Sequence, residues 1–418
     1  MKCWSKVVAA VAMMAVLTAG SLLSVAAQAP KGATGAVHQA HQAAAAQPHM
    51  AEQEFKNIQV LKGITVDDFL GTMGVMSAAL GYDCSECHVG AGTVTVDWAA
   101  DTPNKIMART MVTMMRTINK TNFGGRQMVT CWSCHRGRDR PLTTPTLDNI
   151  YGPVQQEMDD TLTQQPGQLS VDEILGKYYQ AIGGKDKAAA VKSFAAKGKS
   201  VGFGGFGGGG QVQIFAQFPN QRATIMDFPA SPDRGNSIRT FNGHEGWLRT
   251  PLTILKEYQL TGGELDGATL DAELSFPAQI KEVLGDLRVG LQQSIRDNQG
   301  PASQSKESGA TASAQERLMN VVQGSGPRGS LATMYFDAKS GLLVRLVRSS
   351  KGAIGRVPTQ VDYSDYRDVN GIKMPFHVLF SWLDGRDEIQ LSDVQINVPV
   401  DESKFGRPAP LPPMPKGK

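Results

Sequence analysis

Two copies of one short cysteine–histidine pattern constrain this chain more than any other feature of its 418 residues. The pattern reads C-S-E-C-H at 84–88 and C-W-S-C-H at 131–135. The chain has five cysteines, and Cys3 is the one that neither copy uses. Five cysteines in a chain of this length are too few for a scaffold held together by disulfides. The two copies therefore indicate cofactor or metal chemistry.

Each copy matches the attachment motif of c-type haem. Its two thiols can both form thioethers with the vinyl groups of one porphyrin, and the imidazole of the next residue can bind the iron. A redox disulfide and a four-cysteine zinc site are alternatives, but neither explains why a histidine directly follows each pair. We therefore predict two covalently bound haems c. The predicted attachment residues are Cys84, Cys87, Cys131 and Cys134, and the predicted histidine ligands of the irons are His88 and His135.

The sixth iron ligand distinguishes an electron carrier from a catalyst with an open coordination position. Two predicted helices precede the motifs, one after a capping pattern at 65–68 and one starting at Thr102-Pro103. The residues that recur on one face are Phe69, Met73, Met76 and Leu80 of the first helix and Met107, Met111, Met114 and Ile118 of the second. Met73 and Met111 are candidate ligands, because such a helix can fold back over the haem. Methionines at helical spacing also pack in cores, and the spacing alone favours neither role.

Residues 55–141 resemble one haem-pair repeat of the cytochrome subunit of photosynthetic reaction centres. The matching stretches are 57–61, 69–73, 108–114, 118–119 and 129–137. In that family a helical methionine lies opposite the attachment histidine of each such haem, so the resemblance implies Met73 with His88 and Met111 with His135. The family's cytochrome carries four haems, whereas this chain has two motifs. Ligation by histidine and methionine at both irons implies electron transfer and not oxygen chemistry.

The N-terminal residues predict export. Lys2 and Lys6 precede an apolar stretch at 7–23, and small residues at 25–27 form a cleavage site. A retained membrane anchor is the alternative. We expect a periplasmic or cell-surface protein that is soluble or membrane-associated.

Composition along the chain predicts two domains. We divide the chain into a signal peptide (1–27), a disordered linker (28–50), a mainly α dihaem cytochrome c domain (51–141), a linker (142–168), a β-rich domain (169–408) and a proline-rich tail (409–418). In the β-rich domain, Asn370-Gly371 predicts a hairpin turn, and a helix is predicted over 278–295. The glycines at 202–207 match a dinucleotide-binding pattern, but strand-like alternation follows where that motif requires a helix.

From about Ser170 to Pro408 the chain resembles the lipoprotein-sorting fold. The resemblance rests on the helix that ends at 181–184, the turn at 242–247, and the stretches 335–344, 366–371 and 397–399. It implies an α+β domain with an open antiparallel half-barrel sheet closed by helices. The concave surface of such a sheet is apolar, so an apolar or lipid ligand, a partner's hydrophobic segment and a purely structural role are all open.

The charge balance argues against one class of partner. A formal net charge of +3, from 42 basic and 39 acidic residues, gives no electrostatic basis for binding nucleic acid. We expect an electron-transfer protein, not an enzyme, whose partners are redox proteins that include a membrane electron-transfer complex as a candidate. A peroxidase-like dihaem enzyme with one open iron is an alternative. So is an apolar-ligand-binding protein that uses its haems as a redox sensor.

Overall fold

The computed structural model describes most of the chain after the predicted linker, and the described residues belong to one compact unit. The described ranges are 48–93, 95–141, 143–145, 147, 160–203, 209–228, 235–251, 254–296, 316–326 and 329–411. The predicted signal peptide, nearly all of the first predicted linker and much of the second lie outside these residues. Within them, no helix combines the length and apolar character that a membrane span requires.

Helices are concentrated around the two motifs and at the start of the β-rich region. Their bounds are α1 Ala51–Glu54, α2 Val66–Leu80, α3 Pro103–Phe123, α4 Cys131–His135, α5 Val171–Ile182, α6 Lys185–Ala189, α7 Gly262–Glu273 and α8 Ile280–Val283. Short 3₁₀ turns cover Cys84–Glu86, Pro277–Gln279 and Glu402–Phe405.

The predicted helix boundaries before the motifs are confirmed. Thr65 and Thr102 precede α2 and α3, and each side-chain hydroxyl accepts a hydrogen bond from the backbone N–H three residues later. Both helices end at a glycine in the left-handed conformation, Gly81 and Gly124. Ser170 starts α5 in the same way, within a complete capping box.

The β-rich region forms one open antiparallel sheet of 14 strands. The strands are β1 Ser193–Phe203, β2 Gln211–Gln217, β3 Gln221–Asp227, β4 Ser237–Phe241, β5 Gly246–Arg249, β6 Glu257–Gln259, β7 Gly285–Val289, β8 Gln293–Arg296, β9 Glu316–Ser325, β10 Leu331–Asp337, β11 Leu343–Lys351, β12 Arg356–Val369, β13 Ile372–Trp382 and β14 Gly385–Ile396. Their order is β6-β5-β4-β3-β2-β1-β14-β13-β12-β11-β10-β9-β7, with β8 paired to β9. The predicted large antiparallel sheet is therefore confirmed.

Two turn predictions agree with the structure. Asn370 and Gly371 join β12 to β13 with φ angles of 53° and 83°, which are the left-handed values that a two-residue hairpin turn requires. The glycine-rich stretch is followed by β2 from Gln211 and not by a helix, so the dinucleotide pattern lacks its structural context.

The predicted helix over 278–295 is wrong. Only the 3₁₀ turn and α8 at its start are helical, and the chain then runs into β7 and β8. Both strands pair with β9, more than twenty residues later, where Val289 lies opposite Val322 and Ile295 opposite Arg317. This long-range pairing outweighs the local helical pattern.

The sheet is strongly curved. Helix α7 packs against β3 and β4 and also against β11, which lies six strands away from β3 in the sheet. Six strand spacings in a flat sheet amount to roughly 29 Å, whereas a 12-residue helix is only about 18 Å long. The strands must therefore curl around α7, which lies within the concave side and buries Ala268, Leu270 and Ala272.

The segment that carries the motifs packs against the same sheet. Ile354, at the tip of the β11–β12 hairpin, is fully buried in a cluster with Leu61, Val75, Val112 and Met115 from that segment. At the start of α2, the backbone N–H of Thr261 donates to Asp67 Oδ2 at 2.7 Å, and the hydroxyls of Thr65 and Thr261 are 2.6 Å apart. These contacts hold α2 against the sheet.

Candidate functional site

The first motif forms a short turn that places its cysteines and histidine close together. Asp83 caps the turn, with its side chain accepting a hydrogen bond from the backbone N–H of Ser85 at 2.7 Å. The backbone N–H groups of Cys87 and His88 both donate to the carbonyl of Cys84, at 3.3 and 2.9 Å.

The start of α3 holds this turn from outside. The hydroxyl of Thr102 donates to the carbonyl of Cys87 at 2.9 Å, and the side-chain amide of Asn104 donates to the carbonyl of Glu86 at 2.8 Å. Because Thr102 is also the N-cap of α3, the same residue fixes the helix start and the attachment turn.

A cavity of about 1630 Å³ brings the first set of predicted site residues together. Cys84, Cys87 and His88 line it, and so does Met73 from α2. The predicted methionine and histidine of the first site therefore line the same cavity. The second set, Met111, Cys131, Cys134 and His135, does not line this cavity.

The first site is electrostatically suited to a neutral imidazole ligand. Burial lowers the pKa of His88, and the nearby Lys105 adds to this effect. Burial also raises the pKa of the Cys84 and Cys87 thiols. The His88 Nδ1 atom is buried with no hydrogen-bond partner in the described part of the chain, and the ring of Trp98 packs against the imidazole at 5.1 Å. A neutral histidine beside two thiols in an apolar cavity fits a haem c.

The second motif is a one-turn helix, α4. Thr130 and Ser133 form its capping box. The Nδ1 atom of His135 lies 3.0 Å from the carbonyl oxygen of Arg138, so that Nδ1–H donates and Nε2 keeps its lone pair for a metal. Burial raises the pKa of the Cys131 thiol. These side chains also fit a haem c.

Helix α2 connects the two sites. Its C-terminal end packs on α4, and the backbone N–H of Gly137 donates to the carbonyl of Ala79 at 2.9 Å. Cys131 and Met73 both pack against the small apolar cluster around Ile354. The structure therefore holds both motifs and the first candidate methionine in one framework.

The methionine face of α3 points outward. The residues that α3 buries are Val112, Met115 and Asn119, whereas Met107 is 58% and Met114 is 47% exposed, and Met111 is partly exposed. Other large apolar side chains near the motifs are also exposed, namely Val89, Ile106, Met128 and Trp132. A porphyrin bound at each motif would cover apolar surface of this kind, so the surface fits the cofactor.

All four motif cysteines are free thiols. Across the described ranges, no group of three or more His, Cys, Asp or Glu side chains is arranged to hold a metal ion.

Sequence reasoning missed the charged residues deeper in the cavity. Arg222, Arg239, Glu264, Asp271 and Arg348 line it from β3, β4, α7 and β11, and we call them the polar band. They are far apart in the sequence and match no motif. The sequence identified Asp67 only as an acidic residue in the first turn of α2. In the structure its side chain is buried, with 4% exposed. Burial, followed by the neighbouring Glu264, raises the pKa of Asp67 well above its ordinary value.

Comparison with known proteins supports the resemblance of the motif-bearing segment. The family model of the photosynthetic reaction centre cytochrome C subunit matches residues 21–171. A photosynthetic reaction center cytochrome c subunit from Thermochromatium tepidum is 31% identical over 96 residues, which are 22% of this chain and 22% of that protein. The chain thus spans about a fifth of the length of this curated relative. The segment resembles that family, which supports covalently bound haem c.

Three solved structures are similar to part of this chain at low sequence identity. The match to a LolA superfamily protein from Nitrosomonas europaea covers 57% of this chain and 99% of that protein, with 12% identity and a TM-score of 0.34. The match to a DUF1329 family protein from Desulfovibrio piger covers 56% of this chain and 97% of that protein, with 11% identity and a TM-score of 0.35. The match to a putative outer membrane lipoprotein-sorting protein domain from Vibrio parahaemolyticus covers 56% of this chain and 94% of that domain, with 10% identity and a TM-score of 0.34.

Proposed function

We propose that this protein is an exported c-type cytochrome that carries electrons through two covalent haems. The observation that carries the proposal is the shared cavity of the first site, in which Cys84, Cys87, a neutral His88 and Met73 meet. The orientation of His135 by the Arg138 carbonyl supports a second site of the same kind. The family match over residues 21–171 supports the cofactor.

The side chains of each site have distinct roles in this proposal. Cys84 and Cys87 would hold the first haem and Cys131 and Cys134 the second, and His88 and His135 would be their histidine ligands. Met73 and Met111 would be the methionine ligands. The bound haems supply iron centres that gain and lose one electron each, and methionine ligation raises their potential.

The protein framework keeps these ligands in place. Thr102 and Asn104 fix the first attachment turn. Thr65 fixes the start of α2, and the bond from Gly137 to Ala79 fixes its end, so the position of Met73 between them is restrained. With both sixth positions filled by methionine, the protein transfers electrons and does not turn over a substrate.

We place the protein outside the cytoplasm, because haem attachment of this type and the N-terminal residues both agree with export. Its redox partners are other electron-transfer proteins, with a membrane complex as one candidate. Arg136, Arg138 and Arg140 are exposed beside the second site and can contact an acidic surface on such a partner.

A second role concerns the sheet. The cavity continues from the first motif to the concave side of the sheet, where Phe194, Met226, Met334 and Ile389 line it. We propose that an apolar ligand binds there, beside the first haem.

Substitution of the two methionines tests the ligand assignment. Met73→Ala and Met111→Ala should each remove about half of the methionine-ligated low-spin signal, and the double variant should remove all of it, because each haem loses its own sixth ligand. Ultraviolet–visible and magnetic circular dichroism spectra of the purified protein measure this change.

Neighbouring methionines provide matched controls. Met76→Ala and Met114→Ala lie on the same two helices, one turn further along, and should leave both haems low-spin. If Met73→Ala and Met111→Ala also leave the low-spin spectrum unchanged, the ligand assignment is wrong. A high-spin haem in the unmodified protein would instead favour the peroxidase-like alternative.

A further inference from the structure

The polar band crosses an otherwise largely apolar cavity. Two of its arginines are neutralised by carboxylates of α7: Arg239 lies 3.0 Å from Glu264, and Arg348 lies 3.3 Å from Asp271. Both carboxylates lie on the face of α7 that lines the cavity. These two pairs leave one arginine of the band without such a partner.

Arg222 is that arginine. Its guanidinium donates to the hydroxyl of Ser275 at 2.6 Å, and the described residues supply no carboxylate within ion-pair distance. Burial lowers the pKa of Arg222, and the more distant Asp271 opposes this effect. A guanidinium without a direct counterion is costly in an enclosed apolar space, so the position favours an anionic ligand.

An unsatisfied donor lies in the same band. Arg348 is 4% exposed, and its Nε–H has no hydrogen-bond partner within the described part of the protein. Arg348 contacts Asp271 directly, and Asp271 is also within electrostatic range of Arg222. Buried donors of this kind are normally satisfied, so the Nε–H of Arg348 lacks the acceptor expected of it.

The charge of the band indicates how much negative charge that acceptor carries. Three guanidinium groups face the two carboxylates of Glu264 and Asp271, which leaves one positive charge. Asp67 lies nearby, but its raised pKa keeps its carboxyl protonated to higher pH, so it offsets this charge less than an ordinary aspartate would. A head group with a single negative charge therefore matches the band better than a phosphate with two.

We infer that the cavity binds a single-chain amphiphile with a carboxylate head, such as a long-chain fatty acid. The carboxylate accepts hydrogen bonds from Arg222 and Arg348, and the chain lies along the apolar wall formed by Phe194, Met226 and Met334. This inference rests on the apolar-ligand role proposed above and adds the chemistry of the head group. It does not depend on the electron-transfer role.

A fluorescent fatty acid and its ester separate the head group from the chain. The haem-loaded full-length protein is titrated near neutral pH with cis-parinaric acid and with its methyl ester. The acid should bind about tenfold or more tightly than the ester, because hydrogen bonds to a charged head are lost in the ester. In Arg222→Gln, affinity for the acid should fall toward that of the ester, while affinity for the ester stays within about twofold.

Two further variants control for charge and for folding. Arg386→Gln removes an exposed arginine outside the cavity and should leave both affinities unchanged. Arg222→Lys keeps the charge and should retain a preference for the acid, which gives a readout if Arg222→Gln fails to fold.

The outcomes separate this inference from the role on which it rests. Equal affinity for acid and ester in the unmodified protein, or in Arg222→Lys, would overturn the carboxylate inference while the apolar-ligand role stands. Absence of binding by both molecules would overturn both. Neither result changes the spectra that test the haem ligands.

Discussion

At the scale of single residues, one hydrogen bond selects the nitrogen of His135 that can bind a metal. The carbonyl oxygen of Arg138 accepts from Nδ1–H, so Nε2 remains free as a ligand. In His88 the buried Nδ1 has no such partner among the described residues, and burial keeps the ring neutral instead. The histidines of two motifs with the same spacing thus differ in the contacts of their Nδ1 atoms.

Some site residues are predictable because covalent haem attachment requires a fixed spacing in the sequence. Two cysteines followed by a histidine must stay close in sequence to reach one porphyrin, so the motifs can be recognised directly. The charged contacts of the cavity have no such constraint. Arg348 and Asp271 are 77 positions apart, and Thr261 and Asp67 are 194 apart, so only the folded chain reveals them.

Asp387 provides a test of burial at one residue. It lies on β14, is 4% exposed, lines the cavity and accepts a hydrogen bond from the hydroxyl of Ser200. Burial raises its pKa from 3.8 to about 6. Between these two values the folded protein binds a proton that the unfolded chain releases, so this residue's contribution to stability falls as pH rises.

Asp387→Asn should remove this pH dependence, because the amide stays neutral. The measured quantity is the difference in free energy of unfolding, unmodified protein minus variant. The difference between the two pKa values predicts that this quantity falls by about 3 kcal/mol at most between about pH 4 and pH 7. Urea unfolding at several pH values measures it. The control is Asp393→Asn, an exposed site on the same strand. A difference for Asp387→Asn that does not vary with pH would contradict the assigned burial.

At the scale of elements, the β11–β12 hairpin contributes to the haem-bearing segment as well as to the sheet. Its tip places Ile354 among side chains of α2 and α3, and the carbonyl of Gly352 accepts a hydrogen bond from the side chain of Gln127 at 3.2 Å. The position of Gly355 is close to Val75 and Thr130, where an added Cβ would lie 3.2 Å from the Val75 side chain. The segment therefore depends on the sheet for part of its core.

Ile354→Ala should destabilise this joint core. The side chain is 0% exposed, and truncation of a buried isoleucine costs about 2–5 kcal/mol. Urea unfolding followed by haem absorbance should show the loss. Ile254→Ala removes an isoleucine that is 41% exposed, and it should change stability by no more than about 0.5 kcal/mol. A similarly small effect of Ile354→Ala would show that the hairpin does not support the haem-bearing segment.

Elements with strong local signals were predictable, and elements that depend on distant partners were not. The caps of α2, α3 and α5 and the turn at Asn370-Gly371 follow from local backbone requirements. The strands at 285–296 do not, because their pairing with β9 decides their conformation. The curvature of the sheet around α7 likewise depends on contacts of α7 with both β3 and β11, which no local pattern indicates.

At the scale of the whole molecule, the two predicted regions share one compact unit and one cavity. Helix α2 lines the cavity at the first motif and is bonded to the sheet side through Asp67 and Thr261. A ligand on the concave side of the sheet would therefore lie in the same space as the first haem. In the proposed function, the first haem and the apolar ligand would therefore share this cavity.

The most direct test of this account is the haem content of the mature protein. A pyridine haemochrome assay combined with intact mass spectrometry should show two haems c per chain, with a mass increase that corresponds to two covalently attached porphyrins. Cys84→Ala combined with Cys87→Ala should remove one haem from this count and leave the other. A mass without covalent haem in the unmodified protein would contradict the account.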